Sequence, residues 1–295
     1  MKPFTVFVKK KPRTCLARAY SCKVLSYCAL FLFFLVSPLF PYLTSLCVMG
    51  VYSHMNEKES LLATEEIRLH IPGGLKTVKS DWYPFVMTYC ADWDFKRYTG
   101  NPELSLTILY NFPAFSAFRG CSHLYDTNSP YYNSFYGAYL IKDTSGRPFG
   151  FTETDSGQFL PNPNEAVQIP EYDFFRLVLS EFGVNRENAV FSWQVTSLSG
   201  PQNYAGLDGF TRIDAHVTVN GSSHVQNGFT PSYLQYGYPL FPCEDPLAPV
   251  SMYGRLYGTY LKEKQVSLYF YIIAADPYVL EECDRRILSK SILKP

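Results

Sequence analysis

Gln265–Ser289 reads QVSLYFYIIAADPYVLEECDRRILS, and it joins the two kinds of element that set the fold class. Gln265–Ala274 is dominated by aromatic and β-branched residues, which suit a pleated, packed strand. Asp276 then stands as a helix cap with Pro277 at the first helical position, and the spacing predicts a helix over 277–289. A second helix is expected over 171–182. Phe174, Leu177, Val178 and Phe182 fall there at helical spacing, Glu171 and Asp173 occupy the first turn, and Gly183 stands at the C-cap position.

Most other readable stretches are strands. Ile67, Leu69 and Ile71 alternate with Arg68 and His70 and end at the Pro72-Gly73-Gly74 turn. Phe85–Cys90 and Leu104–Tyr110 read as a hairpin across a polar link. Tyr136–Lys142 and Gly150–Thr154 flank the turn residues Asp143–Gly146, and Leu160–Ala166, with Pro161 and Pro163, reads as a loop. Val190–Leu198 is a strand, Gly200–Gly209 a loop, and Phe210–Val219 alternates with Ile213, Ala215, Val217 and Val219 inward. After Asn220-Gly221 a three-residue loop would pair Val217 with Val225 and put His216 and His224 on the polar face. Thr230–Val250, rich in Pro and Tyr, reads as a surface excursion. Strands surrounding two helices define an α+β fold, β-rich and mainly antiparallel, over 65–295.

Ahead of this domain lies Val24–Val51, VLSYCALFLFFLVSPLFPYLTSLCVMGV, without a charged residue. It is long enough for a transmembrane helix, which needs about 20 apolar residues, although Pro38 and Pro41 interrupt it. Three readings fit it: an uncleaved signal anchor, a signal peptide cleaved near Val48-x-Gly50, and a mitochondrial address. Residues 1–23 would be a basic cytoplasmic N-terminus, 24–51 the anchor or signal, and 52–64 a polar stalk. Residues 1–51 carry seven bases (Lys2, Lys9, Lys10, Lys11, Arg13, Arg18, Lys23) and no acid. All 26 acids and the other 19 bases lie beyond residue 51, so that part has a formal charge of −7. The positive-inside bias then puts the N-terminus in the cytoplasm and the domain outside, or secretes the domain if the signal is cleaved. An acidic domain repels a polyphosphate backbone, which argues against nucleic acid as a partner.

Composition agrees with a β-rich core. Aromatics make up 17% of the 295 residues, with 24 Tyr and 23 Phe, and 21 Pro with 18 Gly supply turns. Tyr125, Tyr131, Tyr132, Phe135, Tyr136 and Tyr139 would serve either as a stacking platform for sugars or peptides or as packing residues.

Four cysteines beyond the run, Cys90, Cys121, Cys243 and Cys283, would form two disulfides in an oxidising compartment or remain thiols. Cys22 and Cys28 lie where acylation occurs. Cys121-Ser122-His123 offers a thiol beside a base, but adjacency in sequence does not set geometry. Asp214, His216 and His224 would converge as a metal site if the longer hairpin loop is used, or simply line a solvated strand face. Asn220-Gly221-Ser222 is a glycosylation sequon at an expected hairpin tip.

Asp92-Trp93-Asp94 follows an apolar strand, and its paired carboxylates suit a divalent cation held against a nucleotide diphosphate. That motif, on an anchored outward-facing domain, resembles the layout of membrane-anchored glycosyltransferases. The resemblance implies a metal-dependent enzyme using Asp92 and Asp94; the alternative is a pair of solvated turn acids. No other catalytic or cofactor motif occurs, and no cofactor is predicted apart from that cation. The leading expectation is therefore an anchored extracytoplasmic domain, held to the bilayer through 24–51, that binds a protein or glycan partner or acts structurally at the cell surface.

Overall fold

Val266–Ala274 is buried at all nine positions, so side chains of both parities face protein. A strand alternates its side chains between two faces, so this one lies at the centre of a sheet covered on both sides. The computed structural model describes residues 13–37, 39–74, 81–116, 121–155, 157–175, 186–221 and 248–294.

The chain begins with α1 (Arg13–Val36), α2 (Leu39–Glu57) and the short α3 (Leu61–Thr64). There follow β1 (Arg68–His70), β2 (Met87–Cys90), α4 (Asp92–Thr99), β3 (Leu104–Asn111), β4 (Phe115–Ser116) and β5 (Cys121–Ser122). The middle of the chain gives β6 (Phe135–Asp143), β7 (Phe151–Glu153), β8 (Phe159–Pro161), α5 (Pro163–Ala166) and α6 (Gln168–Asp173). The last part gives β9 (Phe191–Tyr204), β10 (Leu207–Asn220), β11 (Pro249–Leu261), β12 (Val266–Ala274), α7 (Pro277–Arg286) and β13 (Ile292–Lys294).

Seven strands form one antiparallel sheet in the order β2-β3-β6-β12-β11-β10-β9. Two sequential runs, β2-β3-β6 and β9-β10-β11-β12, meet where β12 pairs with β6. One face packs Leu106, Ile108, Tyr139, Tyr271 and Ile213 under Met49 of α2, Phe95 of α4 and Ile169 of α6. The other face packs Leu140, Phe270 and Ile272 under Leu61 of α3, Leu280 and Cys283 of α7 and Leu293 of β13. The fold is thus α+β, β-rich and built on aromatic packing, as expected.

Three local expectations change. The link before Leu104 is helical, α4, ended by Gly100 in the left-handed region at φ 70°. Gly200–Gly209 is not a loop. Ala205 and Gly206 (φ 53° and 81°) make a two-residue turn that continues β9 directly into β10. The helix expected over 171–182 begins earlier, as α5 and α6, with Pro163 at a first-turn position; residues 176–182 and the return strand near 225–229 lie outside the described residues. The C-terminal helix forms as expected, Asp276 accepting from Tyr278 N–H at 2.7 Å, but it shortens to 277–286 before a 3-10 turn at Leu288–Lys290.

The largest correction concerns the apolar run, which is not one helix. α1 ends at Val36 and α2 begins at Leu39. Among the described residues no helix is long and apolar enough to cross a membrane. The second half of the run belongs to the domain. Leu46 and Met49 join the first core layer, and Ser45 Oγ lies 3.2 Å from the Tyr83 hydroxyl. Residues 52–64, expected as a stalk, also lie on the sheet: Tyr52 stacks on Tyr89 at 5.9 Å, and Leu61 N–H donates to Thr107 Oγ1 at 2.9 Å.

This docking solves an edge problem. β2 ends the sheet, so alternate backbone groups face away from β3 and invite pairing with another chain. Thr88 N–H donates to Ser53 Oγ at 2.9 Å and Cys90 N–H to Asn56 Oδ1 at 3.0 Å. Replacing Asn56→Ala leaves the Cys90 donor unpaired at a half-buried site and should lower unfolding free energy by about 1–2 kcal/mol in denaturant titrations. Val51→Ala, on the exposed side of the same helix, should change it by less than about 0.5 kcal/mol.

Candidate functional site

On the second face, where α7 crosses β10 and β11, five charged side chains meet. In β11 the alternation of Tyr253, Arg255 and Tyr257 points all three towards α7, and Asp214 stands opposite Arg255 on β10. Asp284 falls four residues after Leu280, so the apolar stripe of α7 carries an acid into the interface. Arg255 is only 4% exposed. Its Nε donates to Asp214 Oδ1 at 2.7 Å, Nη1 to Asp284 Oδ2 at 2.7 Å and Nη2 to Glu281 Oε1 at 2.6 Å.

The acids are held from their other sides too. Asp284 accepts from the Tyr204 hydroxyl at 2.7 Å and the Tyr257 hydroxyl at 2.6 Å, and those rings stack with centroids 3.7 Å apart. Asp214 accepts from Arg212 Nε at 2.7 Å and from Ser197 Oγ at 3.0 Å. Burial alone would raise the Asp214 carboxyl, but the bonds from Arg212 and Arg255 outweigh it and hold it below its ordinary value. The Arg255 bonds likewise hold Glu281 down. Beside the cluster a groove of about 160 Å³ is lined by Thr196, Asp214, His216, Tyr253, Pro277 and Glu281, among others. The Arg255 donors are committed to carboxylates, so this arrangement clamps a helix to a sheet rather than offering a charge to a ligand.

Asp214 and His216, singled out in the sequence, both line that groove. His216 is exposed, its ring 5.4 Å from that of Tyr253, and His224 lies outside the described residues. Among the described residues no group of three His, Cys, Asp or Glu side chains is placed to hold a metal ion. Asp92 and Asp94 sit in the first turn of α4. Two residues apart on a helix they point about 200° from one another, and Asp92 Oδ1 accepts from Leu106 N–H at 2.8 Å.

Cys90 and Cys283 carry free thiols. Burial pushes Cys90 up to about 11, and Cys283 well above its ordinary value, so neither is a ready thiolate. Cys121 lies on β5 and Cys243 outside the described residues. Ser122 Oγ donates to the Pro113 carbonyl at 2.6 Å. Tyr125, Tyr132, Phe135, Tyr136 and Tyr139 are buried, so these aromatics pack the core. The sequon asparagine is also buried, and Asn220 Oδ1 accepts from Val190 N–H at 2.6 Å.

Sequence reasoning did not single out Arg255, Glu281, Asp284, Tyr204 or Tyr257. The available signals were an arginine within an aromatic alternation and an acid on the apolar stripe of a helix. No family model, no curated protein and no solved structure matches the chain. The fold and the buried cluster thus define an α+β protein in which an ionic clamp ties a helix to the sheet.

Removing Arg255 leaves Asp284 without its cation and Asp214 with Arg212 alone. Arg255→Leu should cost about 3–5 kcal/mol of stability, whereas Glu281→Gln, at a carboxylate 63% exposed, should cost under about 1 kcal/mol. The lowered Asp214 and Glu281 carboxyls add stability that is complete above the ordinary carboxylate range. Thermal unfolding from pH 7 downwards should show that contribution vanish as the pH falls through their lowered folded values, with the loss reduced in Arg255→Leu, where only Arg212 still holds Asp214 down.

Proposed function

We propose that the protein is a membrane-anchored, non-enzymatic domain that binds a partner or serves structurally at the cell surface, with α1 as its anchor. The carrying observation is the surface of α1. Leu25, Tyr27, Leu30, Phe31, Leu32 and Phe33 are 60–72% exposed, and residues 30–33 alone point all the way round a helix. An exposed apolar surface of this kind favours lipid over water by about 1.5–3 kcal/mol per large side chain fully transferred. The basic, acid-free N-terminus faces the cytoplasm in this reading, and the part bearing −7 lies outside.

The docking of α2 favours retention of the anchor over cleavage. A cut after Gly50 would remove Leu46 and Met49 from the core. The non-enzymatic half of the proposal rests on the clamp, in which the buried charged groups satisfy one another.

Membrane fractionation of the full-length chain tests the reading. The protein should remain in the pellet through alkaline carbonate extraction, its intact mass should include residues 1–51, and a protease outside should reach the sheet domain. Phe31→Glu with Phe33→Glu should move it to the supernatant with its sheet circular dichroism unchanged. Quantitative extraction of the wild-type chain by carbonate would overturn the anchor.

A further inference from the structure

In the first core layer the carboxyl of Asp173 is buried, with no opposite charge on it among the described residues. It lies at the end of α6, 4% exposed, and its one hydrogen bond among the described residues is that accepted by Oδ2 from the Tyr139 hydroxyl at 2.7 Å. Tyr139 stacks on Tyr271 with centroids 4.1 Å apart and planes 8° apart. The Tyr271 hydroxyl donates to the Leu109 carbonyl at 3.2 Å. The titratable groups facing Asp173 are thus Tyr139 from β6 and Tyr271 from β12. Towards α4 stands the pair in which the Tyr98 hydroxyl donates to Glu171 Oε2 at 2.6 Å. Among the described residues no Lys, Arg or His acts on the Asp173 carboxyl.

An ionised carboxylate accepts several hydrogen bonds, and a single phenol does not replace the water lost on burial. The neutral acid fits instead. It carries no charge into the core and keeps the bond that Oδ2 accepts from the Tyr139 hydroxyl. Ionisation puts a negative charge into the core with that single donor facing it.

We propose that Asp173 is a pH-operated latch: as a neutral acid it locks the end of α6 onto β6 and β12, and its ionisation releases that end from the sheet. The next two residues extend the consequence. Phe174 packs on Phe135 at 5.0 Å and on Phe191 at 5.7 Å, and Phe175 on Phe191 at 5.9 Å. Release at Asp173 therefore also loosens the contact between α6 and the first residue of β9.

Burial pushes the carboxyl up to about 7, against the opposing effect of the Tyr139 bond. The folded value stands above that of an exposed aspartate, near 3.9, so the closed state keeps a proton that the open state gives up. Closing is favoured fully below about pH 4, weakens about tenfold per pH unit up to about pH 7, and then levels, a total of about 10³-fold.

Amide hydrogen exchange of the full-length chain between pH 5 and 8, corrected for intrinsic rates, tests this. The opening equilibrium at residues 171–175 should rise about tenfold per pH unit and level near pH 7, while amides of 266–274 stay constant. Asp173→Asn, a neutral isostere, should abolish the dependence. A pH-independent opening in the wild-type chain, the same dependence in Asp173→Asn, or equal changes across 266–274 would each overturn the latch. If Asp173→Asn does not fold, the wild-type profile decides alone.

Discussion

The pairing of β6 with β12 is the constraint on which the rest of the molecule depends. Eight registered residue pairs, Val266↔Lys142 to Ile273↔Phe135, place two almost wholly buried strands side by side. Backbone groups there find partners only in the ladder, and side chains on both faces need apolar cover. That demand accounts for the helices lying on opposite faces: α4 and α6 on one, α3 and α7 on the other. It also accounts for the tyrosines. A core this rich in phenols must provide an acceptor for each buried hydroxyl, and the Leu109, Gly150 and Pro72 carbonyls do so for Tyr271, Tyr269 and Tyr136.

The two edges of the sheet are treated differently. At β2 the helix α2 supplies side-chain acceptors for the outward N–H groups. At β9, 14 residues long and uncharged, protection comes from geometry instead: three register shifts against β10 and a proline at position 201. Bulges increase local twist and proline removes a donor, and both devices blunt a strand edge. The ionic clamp lies near this second edge and ties α7 across β10 and β11, so the half of the sheet without an edge-covering helix is held by buried charge.

The fold class was legible because periodicity reports burial directly. The alternation of Ile213, Ala215, Val217 and Val219, the apolar run at 266–274 and the Asp276-Pro277 start of α7 all appear where the pattern placed them. Glycine and proline were less dependable. Gly200 and Pro201 suggested a loop because they weaken strands, yet an edge strand tolerates both. The Asp-Trp-Asp motif suggested a turn, and the helix of α4 instead spreads its carboxylates around one turn. The ionic clamp was not legible, because pairing Arg255 with Asp284 requires the β10–β11 register and the crossing of α7, and neither is encoded locally. Asp173 was visible only as a first-turn helix acid; its isolation from water comes from Tyr139 and Tyr271, more than 30 residues away on either side.

The apolar run shows how two halves of similar hydropathy take different places. In α2 the residues that touch the domain, Ser45, Leu46, Met49, Tyr52, Ser53 and Asn56, fall within about 120° of one another at 100° per residue. This stripe mixes apolar contact with acceptors spaced to meet the N–H groups of an edge strand, and such acceptors gain more from a sheet edge than from hydrocarbon. Val24–Val36 carries no such stripe. Its polar atoms are those of Ser26, Tyr27 and Cys28, and the six residues from Leu30 to Leu35 are Leu or Phe throughout. Hydropathy averaged over 24–51 treats the halves alike, whereas the angular placement of three polar side chains separates a helix that completes a sheet from one that leaves its apolar surface uncovered.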